Sequence, residues 1–442
     1  LKVTLPNVDL AKGEFAYCEN LGFALVDNVV CEIGGTTIDK QYGEWMYIWD
    51  QLSGDGSNRR GLDNMIGNVS DLTELSNKKS KYTLYVPLYF WFCRNNGLAL
   101  PLIALQYHEV KVRIQFRDVS DLVSYKHGTP IDSIDIEDAS LLVNYIYLDS
   151  EERKRFAQAS HEYLIEQVQH TGHETISNQS QKIRLNFNHP CKYLVWGVKK
   201  HSGKSVNRPV WNTNTDNYRE LFARFVLLLS QVHTADNKTE ENQGTGEANA
   251  NNFTESSVWF KNYSSKVKGI VAHVDNSSSI DSVAIIENNL DDDDISVSVE
   301  TLKQYFVSSG GNASNTSHLW DTYVHHVNPL QLSEHVNNTG NPVVSAQLQL
   351  NGHDRFSKRD GAYFNYVQPY QHFSNTPSDG INVYSFALNP EEHQPSGSCN
   401  MSRIDNATLA FDTTVAGSLY IFAVNYNVLR IMSGMGGLAY SN

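Results

Sequence analysis

Apolar and polar residues alternate along most of this chain, and Gly, Asn, Pro and Ser gather between the alternating runs. A period of two puts every second side chain on one face, so each run predicts a half-buried strand. Many short strands divided by turns predict an all-β sandwich architecture. The clearest runs are Tyr82 to Val86, Val110 to Phe116, Leu141 to Leu148, Ile183 to Phe187 and Ser418 to Leu429. Helical periods are rarer. Tyr42, Trp45, Met46 and Trp49 fall at i, i+3, i+4 and i+7, one stripe of a short amphipathic helix. Asp149 followed by Glu152 makes a capping box that opens a helix over 150–158, with acids early and Lys154 and Arg155 late, as the helix dipole prefers. A third helix is predicted over 218–231, with Tyr218, Leu221, Phe222, Phe225, Val226 and Leu229 on one face.

The same order of elements occurs twice, which dominates the reading. Cys31 to Asp39 runs strand, glycine turn (Gly34-Gly35), strand, and an aromatic segment follows from Tyr42. Gln347 to Phe356 repeats this around Asn351-Gly352, followed by Ala362 to Val367. Val86 to Phe92, a loop containing Gly97 and a strand ending at Phe116 match Val383 to Leu388, a loop containing Gly397 and Ile404 to Phe411. Each half closes on a strand containing Asn and Tyr, at 143–147 and 423–428. The boundaries that follow are a first sandwich over 1–148 that lacks its first strands, a linker helix over 149–160, and a second sandwich over 161–442. The second carries a large surface insertion at about 200–345, longer than an ordinary loop and rich in Asn, Ser, Thr and Asp. The opening residues Leu1 to Leu5 already read as a strand, the pattern of a chain whose true N-terminus lies further upstream.

Composition narrows the function. A chain of 442 residues exceeds one ordinary core, consistent with two domains. A net charge of −14 opposes direct binding of nucleic acid, which needs cations to neutralise phosphates. No run of eighteen apolar residues is present, so no helical membrane span is expected. Cys18, Cys31, Cys93, Cys191 and Cys399 are widely spaced with no C-x-x-C pair, which predicts free buried thiols in a reducing compartment rather than a zinc site.

Candidate chemistry is sparse. His161-Glu162 lacks the second histidine of a metalloprotease helix. His325-His326 has no carboxylate at metal-ligand spacing. Asp291 to Asp294 lacks the spaced ligands and turn glycine of a calcium loop and reads as a solvated acidic loop. Gly434-x-Gly436-Gly437 has no helix after it to receive a phosphate, so a packed tail is expected. No catalytic residue, metal or cofactor is predicted. Sequons at Asn252, Asn262, Asn276, Asn312 and Asn315 are candidate glycosylation sites in the insertion, with others at Asn68, Asn178, Asn237, Asn337 and Asn406.

Three long stretches carry a resemblance: Gly97 to Val110 (GLALPLIALQYHEV), Arg184 to Pro190 (RLNFNHP) and Asn425 to Tyr440 (NYNVLRIMSGMGGLAY). They resemble the major capsid proteins of nucleocytoplasmic large DNA viruses, in particular the phycodnavirus, chlorovirus-like branch. The resemblance covers most of the chain outside the insertion. It implies a double jelly roll, two tandem eight-stranded sandwiches with a few short helices. It also implies a homotrimer whose six sandwiches give a hexagonal outline, packed beside neighbouring capsomers over minor capsid proteins and an internal membrane. Assembly is expected in the host cytoplasm and residence in the virion. The family's first strands would precede Leu1, and the insertion is longer than in chlorovirus-like members. A viral carbohydrate-binding or fibre-like jelly roll is the alternative, with Trp259, Tyr263 and Trp320 stacking on host-surface glycans. A β-sandwich glycosidase would need two opposed carboxylates, and no such pair can be chosen. Trp45, Trp49, Trp91, Phe92 and Trp196 are the expected packing residues.

Overall fold

The computed structural model describes residues 1–200 and 327–440, apart from 12, 55, 119–120, 127–134, 178–179 and 334–339, together with the backbone of strands at 210–211, 267–274, 280–287, 295–298 and 324–325. Each predicted copy begins with a tight hairpin. In the first, Val26–Ile33 turns through Gly34 and Gly35 into Thr36–Tyr42. In the second, Val343–Leu350 turns through Asn351 and Gly352 into His353–Asp354. All four turn residues have positive φ, at 58°, 81°, 51° and 81°. That is the mirror-image turn whose twist matches the flanking strands, and Gly and Asn enter it at least cost. In both copies the first hairpin strand takes its other neighbour from far downstream, Val110–Phe116 in one and Ala407–Thr413 in the other. An aromatic helical segment follows each hairpin, Gly43–Ser53 in the first and Tyr363–Val367 continuing into Gln368–His372 in the second.

The second sandwich is complete in outline. One sheet has the order His161–His170, Gly417–Met432, Pro190–Lys200, Asn382–Ser385. The other runs Gln181–Leu185, Ala407–Thr413, Val343–Leu350, His353–Asp354. Leu194, Trp196 and Ile421 from the first sheet meet Leu185, Leu348 and Phe411 from the second in one buried cluster. Ala407–Thr413 alternates buried and half-buried at every position, as a strand with one face on a core must. The first half has thinner sheets: Thr36–Tyr42 with Val26–Ile33 and Val110–Phe116, and Asp138–Ser140 with Lys2–Leu5 and Tyr82–Tyr85. A third sheet joins Phe15–Tyr17 to Val123–Lys126.

The second sandwich keeps the cluster just described, but the core of the first half is shared with the second. A single buried cluster runs from Val29, Trp45 and Trp49 of the first half to Tyr193, Phe422 and Leu429 of the second. Trp45, Trp49, Trp91 and Trp196 are buried as expected, while Phe92 is half-buried. The helix Gly43–Ser53 departs from its expectation in one respect. It is buried nearly all round rather than along one stripe, because it lies between the halves instead of on a surface. The helix Ser150–Gln158 forms with the expected cap, the Asp149 carboxylate accepting the Glu152 N–H at 2.8 Å.

One predicted strand is overturned. Leu141 to Leu148 alternates correctly but forms no ladder, and its apolar side chains are exposed: Leu142 is 64% and Tyr147 90% accessible. Periodicity gives a segment the capacity to be a strand, but pairing needs a partner. The Asp138–Ser140 ladder with Lys2–Leu5 stops at Ser140 opposite Lys2. Within the inserted span, the described backbone includes a sheet of Val210–Trp211, Val267–Val274, Ile280–Glu287 and Ile295–Ser298. Its end is not surface: Val324–His325 pairs with Val123–Lys126 of the first half, and Leu330 and Leu332 are buried in the shared cluster. The predicted helix over 218–231 lies outside the described residues.

Candidate assembly surfaces

Charged side chains are seldom buried unless paired, so buried charges locate constraints in a strand-rich core. Glu166 sits mid-strand between Ile165 and Val168, and Lys192 lies on Pro190–Lys200, the next strand but one across Gly417–Met432. The Lys192 ammonium is fully buried and donates to Glu166 Oε1 at 2.9 Å and to the Glu392 carbonyl at 3.0 Å. Arg94, from the first half, donates to Glu166 Oε2 at 2.7 Å while stacking over the Trp49 ring at 4.2 Å. His393 Nδ1 lies 3.6 Å from the same carboxylate. Burial pushes the Glu166 pKa up, but hydrogen bonding from His393 and the charges of Arg94 and Lys192 outweigh it and hold it at about 2. Burial pulls the Lys192 pKa below its ordinary value despite Glu166. The cluster therefore ties the first half to the second through one shared carboxylate.

A second polar contact crosses the same seam. Asp39, buried in strand Thr36–Tyr42, accepts the Val168 N–H at 2.9 Å and Gln41 Nε2 at 3.1 Å. Gln167 donates from Nε2 to the Ile38 carbonyl. Burial raises the Asp39 pKa to about 6 against those hydrogen bonds and the more distant Arg94. The sign follows directly. The folded value lies above the ordinary 3.8, so the fold prefers the protonated acid. Stability from this group rises as pH falls from about 7 towards 4, and ionisation costs on the order of 3 kcal/mol at neutral pH. Glu166 works the other way: its contribution is present above about 4.5 and is lost as pH falls towards 2. Asp39→Asn is expected to stabilise the protein above pH 6 and flatten its stability between pH 4 and 7. The substituted amide would keep Oδ1 for the Val168 N–H and offer Nδ2 to Gln41 Oε1, now buried without a partner, after an amide flip. Urea midpoints at pH 5 and pH 8 check this; an unchanged pH slope refutes it.

Exposed large apolar side chains concentrate in three places. The first is the uncovered segment at 141–148. The second joins Tyr366, Val367 and Tyr370 of the second aromatic helix to Leu388, whose carbonyl meets His372 Nδ1 at 3.0 Å; Tyr370 is 83% exposed. The third is the last hairpin, where Met432 and Met435 flank the turn Ser433-Gly434 and Tyr107 packs beside it, its N–H donating to the Gly434 carbonyl at 3.0 Å. Contiguous exposed apolar surface marks interaction sites more often than chance exposure does.

The glycine-rich tail forms a hairpin strand, Met435–Leu438, with His108 Nδ1 against the Gly436 backbone, and not a phosphate loop. His161 and Glu162 lie on a strand, where Glu162 pairs with Arg430 at 2.7 Å. Asp291 to Asp294, His326 and the sequons Asn252, Asn262, Asn276, Asn312 and Asn315 lie outside the described residues, as does the side chain of His325. Asn406 is exposed and Asn68 half-buried. Among the described residues no cluster of three or more potential metal ligands occurs, and no helix is long and apolar enough to cross a membrane. Sequence reasoning missed Asp39, Arg94, Glu166 and Lys192. The available signal was a charge set inside an apolar run, as in Leu164-Ile165-Glu166-Gln167-Val168.

Two family models divide the chain between them. Residues 1–149 match the major capsid protein N-terminus, and 152–437 match the large eukaryotic DNA virus major capsid protein. The chain is 41% identical to the major capsid protein of Phaeocystis pouchetii virus, over all of this chain and 86% of that protein. It is 38% identical to capsid protein 1 of Acanthamoeba polyphaga mimivirus, over all of this chain and 88% of that one. Among solved structures it superposes on a subunit of the PBCV-1 virus capsid with a TM-score of 0.63 and 30% identity, covering all of this chain and 89% of that one. The two tandem sandwiches are thus the double jelly roll that the resemblance implied. With both halves matched and relatives this similar along the whole length, the chain belongs to the major capsid protein family of large eukaryotic DNA viruses.

Proposed function

We propose that three copies of this chain close into a capsomer of hexagonal outline, each contributing its two sandwiches as two of the six corners. As a major capsid protein the chain is a component of the virion and builds its icosahedral shell. The observation that carries the trimer reading is the shared core: two similar sandwiches fused across the Trp45 seam form one rigid block rather than two hinged domains. A rigid pair of similar shapes lets a three-fold axis imitate a six-fold one. The uncovered apolar sites around Tyr366, Tyr370 and Leu388 and at the last hairpin supply surface for contacts between copies, as obligate assemblies require. Minor capsid proteins bind beneath the capsomer, host-surface glycans meet its outer loops, and assembly takes place in the host cytoplasm.

We also propose that the domains divide at the helix Ser150–Gln158 and that further strands of the first sandwich cover Leu141 to Leu148. The register supports this. Lys2 pairs with Ser140 antiparallel, so the same ladder continued would lay chain preceding residue 1 along 141–148. One preparation of the protein with its natural upstream residues tests both points. Sedimentation is expected to give three times the mass of the single extended chain, and amide exchange at 141–148 is expected to be slow. A stable monomer sinks the capsomer; fast exchange at 141–148 sinks the strand completion.

A further inference from the structure

We propose that Cys191 and Cys399 form a disulfide that locks the edge of the second sandwich once the protein meets a disulfide oxidant. The two cysteines stand directly opposite each other on antiparallel strands, with Pro190 opposite Asn400 and Cys191 opposite Cys399. The Met401 N–H donates to the His189 carbonyl at 2.9 Å, which continues the same register one step further. Directly opposed residues project to the same face of a sheet. Cys191 is buried in the second core and Cys399 packs against that core half-buried, so both thiols lie on its side. Opposed Cα atoms in an antiparallel pair are about 4.5 or 5.5 Å apart according to the type of pair. Both separations fall inside the range of roughly 4.4–6.8 Å that a disulfide spans. Cys18, Cys31 and Cys93 have no cysteine opposite them in any ladder among the described residues.

The step balances with a disulfide oxidant such as oxidised glutathione. The Cys399 thiol, the more accessible of the two, loses its proton and attacks the oxidant, releasing one reduced glutathione and leaving a mixed disulfide. The Cys191 thiol gives up its hydrogen bond to the Tyr193 carbonyl, now 3.3 Å, and displaces the second glutathione. The two thiol protons end on the two glutathiones. Burial holds both thiols above their ordinary pKa, so the reaction is slow in the reduced fold. A slow bond suits a late event, because virion surfaces outside the cell retain disulfides that the cytosol does not. The ring it closes contains residues 192–398 and hence the whole insertion. Cross-linking so long a loop removes much unfolded-state freedom.

The test is peptide mass mapping, without reduction, of the purified full chain after incubation with oxidised glutathione at pH 8. The expected result is a linked pair of peptides containing Cys191 and Cys399, and a fall in titratable thiols after denaturation from five to three. The melting temperature should rise by on the order of 5 °C and return on adding dithiothreitol. Cys399→Ser, a conservative change at a half-buried site, should abolish both the linked peptide and the rise. Five persistent thiols, or a disulfide that leaves Cys191 and Cys399 free, overturns the proposal. A linked peptide with no change in melting overturns the locking role.

Discussion

Trp45→Ala is expected to lower stability by about 3–5 kcal/mol and to split thermal unfolding into two transitions. Trp45 is fully buried in the helix Gly43–Ser53 of the first half, and its neighbours come from both halves. Its ring stacks on Tyr193 at 6.3 Å and meets Phe422 at 5.6 Å, both in the second half, and Trp49 at 6.3 Å in its own helix. Removing it opens a void at the joint, where the remaining groups on either side are fixed in separate sheets and cannot collapse together. Trp196→Ala supplies the comparison. Trp196 is equally buried but packs on Phe364 within the second sandwich, so its loss should be as large without the split. Trp45→Phe should cost far less, because the indole N–H has no hydrogen-bond partner to forfeit. Calorimetry of the three variants decides; a single transition in Trp45→Ala would show that the halves stay coupled without Trp45 and that its contacts are not the joint.

Glu166→Gln is expected to cost about 3–5 kcal/mol, since it leaves Lys192 buried and Arg94 half-buried with no counter-charge. The geometry gives one carboxylate two cations, each taking its own oxygen. A neutral amide can accept from only one of them and would present its own N–H₂ to the other. The double variant Glu166→Gln with Lys192→Met should recover much of the loss by removing the charge that burial already disfavours. A double-mutant cycle from urea unfolding measures this coupling. A single-variant loss under about 1 kcal/mol would mean that solvent reaches the pair and that the cluster is no tie between the halves.

The sequence by itself determined the architecture's grammar. Gly34-Gly35 and Asn351-Gly352 could be read as matching turns because few other residue types accept positive φ at both turn positions. Ala407–Thr413 could be read as a one-sided strand because its alternation is local. The cap at Asp149 is likewise a contact three residues long, and its carboxylate accepts the Glu152 N–H as the pattern predicts. What only the tertiary structure decided is everything that depends on a partner distant in the chain. The same alternation that marks Ala407–Thr413 marks Leu141 to Leu148, yet the latter is unpaired, since period says which face a residue takes and not whether a neighbour exists. The helix carrying Trp45 looked like a surface helix by its stripe, and the second half turned it into a joint. Asp39, Arg94, Glu166 and Lys192 are ordinary as letters, because their burial and pairing arise where strands from opposite ends of the chain meet. The cysteines followed the same rule: their spacing along the chain predicted separate thiols, and only the ladder placed Cys191 opposite Cys399.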